Sequence, residues 1–160
     1  MNLLDRMLGH DRWMTEHLLS MSRGIPDAQL DQEFDIGHRT LRTTFDHMIA
    51  ARELWTALMA GKRRGRSAPT HASIDEMLAR HARSFEAFER VVRDLVASGR
   101  LDETFLDHNG YPQTYGATIL QVLYHNVHHR SEVMHILQRL GIDLQTDGLT
   151  QEWEHLTGRI

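Results

Sequence analysis

A chain of 160 residues with a net charge of −4 and no cysteine has the length of one domain. Folding it can bury roughly two-thirds of its extended surface, so a core needs no disulfides. Zinc fingers, iron–sulfur clusters and thiol nucleophiles are excluded, and the negative charge argues against nucleic-acid binding, which rests on phosphate neutralisation. No apolar stretch approaches the roughly 20 residues of a membrane span. The start, Met1-Asn2-Leu3-Leu4-Asp5-Arg6, lacks the pattern of a signal peptide. The expectation is a single cytoplasmic domain over residues 1–160 with neither nucleic acid nor membrane as partner. A short basic run, Lys62-Arg63-Arg64-Gly65-Arg66, reads as a solvated loop.

The three prolines, at 26, 69 and 112, all fall between segments of helical period. In the first segment, near 3–22, Leu4, Met7, Met14, Leu18 and Met21 keep a three/four spacing that Asp11 interrupts, before Gly24 and Pro26 stop it. The second, near 40–60, opens on Thr40 as N-cap and ends at Gly61. Its apolar face runs through Leu41, Phe45, Met48, Ala51, Leu54 and Leu58. The third, near 73–98, begins with the capping box Ser73-Ile74-Asp75-Glu76. Ile74, Leu78, His81, Phe85, Phe88, Val92 and Leu95 form its seam. An irregular crossover from Leu101 to Thr114 follows, with a short hairpin expected at Asn109-Gly110. The fourth helix, near 115–140, carries Ile119, Val122, His129, Val133 and Ile136 inward, and a short tail helix would be anchored by Trp153. Four long amphipathic helices in one small domain bury their stripes most simply as an all-α four-helix bundle.

Twelve histidines are unusual, and their placement decides their meaning. His125 and His129 stand four apart, one turn above each other on one helix face, so both rings can reach a common point. His47 falls in the inward row Thr44, His47, Ala51, Leu54. A single inward histidine is ordinarily a hydrogen-bonded core residue. Three are harder to explain that way, because uncompensated burial of each costs roughly 1–3 kcal/mol. One divalent ion would satisfy all three ring nitrogens. His81 reads as a core histidine and His128 as a flank residue. His10, His17, His38, His71, His108, His135 and His155 show no convergent spacing.

The string His125-Asn126-Val127-His128-His129-Arg130 resembles the last-helix signature of the DinB-like (damage-inducible) four-helix proteins. The stretch from Phe45 to Trp55, with histidine at 47 and tryptophan eight residues on, resembles their second-helix signature, and Asp11-Arg12-Trp13 is similar to their opening helix. The resemblance spans Leu4 to about Trp153. It implies a metal, commonly nickel or zinc, on His47, His125 and His129, and a two-fold dimer. Where relatives often have glycine-glutamine after the arginine, this chain has Ser131-Glu132.

Structural zinc sites are normally closed by four protein ligands, whereas three leave a position for chemistry. The thiol-dependent transferases and isomerase among DinB-like proteins imply a metal-dependent enzyme with a small-molecule substrate and a low-molecular-weight thiol as cosubstrate. Glu132 could then orient a ligand or move protons, and Arg52 could hold an anionic substrate. The alternatives are a metal-dependent hydrolase and a non-enzymatic stress protein that binds a metal or ligand. A diiron carboxylate site is rejected, because Glu132-Val133-Met134-His135 is matched only by the tail's Glu152 to His155.

Overall fold

The computed structural model describes residues 1–63, 65 and 70–160. Arg64 and Arg66 of the basic run, and Pro69, lie outside the described residues. The chain is mostly helical: α1 (Leu3–Met21), α2 (Asp27–Leu30), α3 (Leu41–Met59), α4 (Ile74–Ala97), a hairpin of β1 (Thr104–Leu106) and β2 (Pro112–Thr114), α5 (Tyr115–Arg139) and α6 (Thr150–Leu156).

The four long helices start where their caps dictate. Thr40 Oγ1 accepts the Thr43 N–H at 3.1 Å, and Ser73 Oγ accepts that of Glu76 at 3.2 Å while Glu76 returns a bond to the Ser73 N–H. Asn2 and Asp5 make a third capping box at α1. The hairpin forms with Thr104 opposite Thr114. Its turn is wider than an Asn-Gly two-residue loop, because Asp107 Oδ1 gathers the N–H groups of Asn109 and Tyr111. The short helix α2 was not foreseen. It is tied to α3 by the buried Arg42, whose Nε donates to Asp31 Oδ1 at 2.7 Å.

Helices α1 and α3 each pack against both α4 and α5. The core falls into two apolar parts. One gathers Met14, Leu18, Phe45, Ile49, Met77, Val133 and Ile136, and the other Leu8, Phe85, Phe88, Val92, Ile119 and Val122. Between them in sequence, every long helix carries a buried polar group: Asp11 on α1, Arg52 on α3, His81 and Ser84 on α4, and Asn126, His129 and Arg130 on α5. Arg130 pairs with Asp11, which also accepts from Asn126 Nδ2 at 3.0 Å. This polar layer is where the histidines sit. Trp153 of α6, 1% exposed, closes over α1.

Candidate metal centre

The capped start of α3 sets His47 on the side of that helix that faces α5, where His125 and His129 stand one turn apart. The three rings converge. His125 Nε2 lies 2.8 Å from His47 Nε2 and 3.1 Å from His129 Nε2. The ring centroids are 4.8 Å apart for His47 and each of its partners, and 4.3 Å apart for His125 and His129.

His129 Nδ1 is 2.7 Å from Glu132 Oε2, and a carboxylate there can only accept, so Nδ1 carries a proton and Nε2 is the nitrogen turned to the cluster. Burial, followed by the neighbouring His129, pushes His125 down to a pKa of about 4, so this ring is neutral at pH 7. Its Nε2 faces two other ring nitrogens. A divalent cation would accept all three lone pairs, and neutral imidazoles are the form that a metal requires. The donor set therefore fits a metal ion.

Glu132 is buried under the loop that precedes α3. Its other oxygen, Oε1, is 3.1 Å from His128 Nε2 on the exposed flank. Gly37 has φ +45°, and a Cβ there would collide with the Glu132 carboxylate. That close approach carries His38 to the cluster. The His38 ring lies 3.8 Å from the His47 ring and 5.1 Å from the His129 ring, with its ligating nitrogen within 4.8 Å of theirs. Helical periodicity gave no signal for His38, because a loop residue has no period. The neighbouring glycine was the one available clue.

A cavity of about 550 Å³ opens beside the cluster. His38, Thr43, Asp46, His47 and His125 form its polar wall, and Ala50, Ala51, Leu54 and Trp55 of α3 its apolar wall. His108, from the hairpin turn, stands edge-on to Trp55 with centroids 6.0 Å apart.

Arg52 does not join this site. It lies five residues beyond His47, about 140° around the helix, so it faces α4 instead of α5. Its Nη2 donates to Ser84 Oγ at 2.7 Å and to His81 Nδ1 at 2.8 Å. Arg52 is only 2% exposed and does not line the cavity, so the structure does not bring it to the place expected for it beside an anionic substrate. Burial pushes Arg52 down to about 10, and burial together with the Arg52 charge pushes His81 down to about 2. His81 is a neutral core residue that accepts from Arg52.

The family model of the DinB superfamily matches residues 10–133, a span that includes all four clustered histidines and Glu132. Among solved structures, a DinB-like protein from Bacillus cereus superposes with a TM-score of 0.68 at 19% identity, over 85% of this chain and 89% of that one. No curated protein matches the sequence.

Proposed function

The chain belongs to the DinB superfamily, and from that premise we propose that it is a four-helix-bundle metalloprotein with one divalent ion on His47, His125 and His129. The observation that carries this reading is the convergence of three ring nitrogens, with His47 Nε2 and His129 Nε2 at 2.8 and 3.1 Å from His125 Nε2. Nickel and zinc both suit an all-imidazole set. Such an ion, when bound, keeps its full double charge and lowers the pKa of a thiol or water that joins it.

The protein's own groups define what else happens there. Glu132 holds the His129 ring in the tautomer that turns Nε2 toward the site, so it is a positioning residue. Ala50 and Ala51 leave room beside the histidines. Leu54 and Trp55 give a substrate an apolar surface and keep water from that side. This wall favours a small molecule with an apolar or aromatic body. The chain has no cysteine, so any sulfur must come from a low-molecular-weight thiol. The reading is a metal-dependent enzyme of the transferase or isomerase type, acting in the cytoplasm. Arg52 takes no part in it.

A two-fold dimer is supported by the exposed row Leu120, Tyr124 and Val127 on α5, which are 43%, 63% and 49% exposed. Among the described residues, no helix is long and apolar enough to cross a membrane.

The test is metal analysis of protein purified without a histidine tag, followed by assays with a generic electrophile in the presence and absence of a small thiol. Turnover that needs both metal and thiol is expected. Turnover with metal alone would indicate a hydrolase, and stoichiometric metal without either activity a binding protein.

A further inference from the structure

Three histidines from two helices make an open site. The structure brings a fourth to its edge from a different element, on a loop whose backbone is built for the purpose. Gly37 and Arg39, on either side of His38, both have left-handed backbones, with φ of +45° and +73°. A left-handed arginine costs conformational energy and persists only where its surroundings fix it. They do so here. The Phe34 N–H donates to Arg39 O at 2.8 Å, the Arg39 N–H donates to Ile36 O at 2.8 Å, and Thr43 Oγ1 donates to His38 O at 2.6 Å. The result aims an exposed side chain back at the half-buried cluster, with the His38 ring against that of His47.

The loop also rests on the metal site itself. Gly37 lies directly on the Glu132 carboxylate, and Glu132 in turn orients His129. The position of His38 and the aim of His129 thus share one support.

We propose that His38 is a fourth, displaceable ligand that closes the site at rest and yields its place to an incoming small molecule. This rests on the three-histidine reading above and extends it. His47, His125 and His129 sit on long helices, whereas His38 is solvent-exposed and stands on a loop. It is therefore the ligand most easily exchanged. A closed four-imidazole set protects the ion from adventitious water. Exchange of one neutral imidazole for a substrate or cosubstrate leaves the other three in place.

The experiment counts nitrogens. X-ray absorption at the zinc edge of the full-length zinc-loaded protein is expected to show four imidazoles in the wild type. His38→Ala should show three and an oxygen, with zinc affinity lowered about 10- to 100-fold. His38→Phe retains a ring against His47 but no donor, and should behave as the alanine variant does. Adding 2-mercaptoethanol should replace one imidazole by one sulfur in the wild type, and the oxygen by sulfur in His38→Ala. Circular dichroism confirms that each variant is folded. A wild-type protein with three imidazoles, and variants of unchanged affinity, would reduce His38 to a stacked cover and overturn the proposal while leaving the three-histidine site intact. Four imidazoles that persist at saturating thiol would overturn its displacement. A wild type that binds no zinc would remove both readings together.

Discussion

Glu132 stands beside the proposed metal site and bonds one of its histidines. By accepting the His129 Nδ1 proton it fixes which nitrogen is available, and carboxylates in this role typically change metal affinity by about 10–100-fold. Glu132→Ala is expected to weaken zinc binding within that range. Glu132→Gln, which still offers an oxygen to Nδ1–H, should weaken it less. Equal affinity for Glu132→Ala and wild type in competition with a chromogenic chelator would contradict the role. Arg52 gives the opposite test. Its bonds to His81 and Ser84 are structural, so Arg52→Ala should lower stability by at least about 2 kcal/mol in urea unfolding, through a cavity and unsatisfied partners. Its zinc affinity should stay within about twofold of wild type. A selective loss of affinity at unchanged stability would return Arg52 to the site.

At the scale of elements, the loop before α3 is the part whose geometry the periodic pattern could not supply. Gly37→Ala places a methyl group against the Glu132 carboxylate and forces a left-handed alanine. It is expected to reduce thermal stability and zinc affinity together, whereas a change in the open space at Gly99 should leave zinc affinity unchanged. If Gly37→Ala left affinity at the wild-type value, the loop would be independent of the metal centre. The long helices were legible because Ser73 with Glu76, and Thr40 at its cap, mark their starts and glycines mark their ends. His125 and His129 were legible because period alone aligns them. Arg52 was legible only in part: an amphipathic pattern tells that a residue points inward, but not toward which neighbour. The four-residue α2 gave no period, and His38 lies where the backbone, not a repeat, sets direction.

For the whole molecule, the buried polar layer between the two apolar parts ties stability to pH. His125 and His81 have folded pKa values of about 4 and about 2, below the 6.5 of an unfolded histidine, because burial disfavours their charged forms. The unfolded chain therefore binds more protons below pH 6.5. Their contribution is fully present above that pH and is lost as pH falls toward the folded values. For the metal-free protein, the melting temperature should be nearly flat from pH 8 to about 6.5 and fall between 6.5 and 4.5, before most carboxylates titrate. A melting temperature that rises on acidification through that window would contradict the buried neutral state of these rings. Protonation of His125 also competes with metal, so the zinc affinity of the folded protein should decline as pH falls toward about 4.

The most direct test of the metal centre is calorimetric titration of zinc into the metal-free protein and its alanine variants. The wild type should bind one ion per chain, and His47→Ala, His125→Ala and His129→Ala should each lose most of that affinity. His71→Ala and His155→Ala, outside the cluster, should match the wild type. Three cluster variants that all bind zinc as the wild type does would contradict the site.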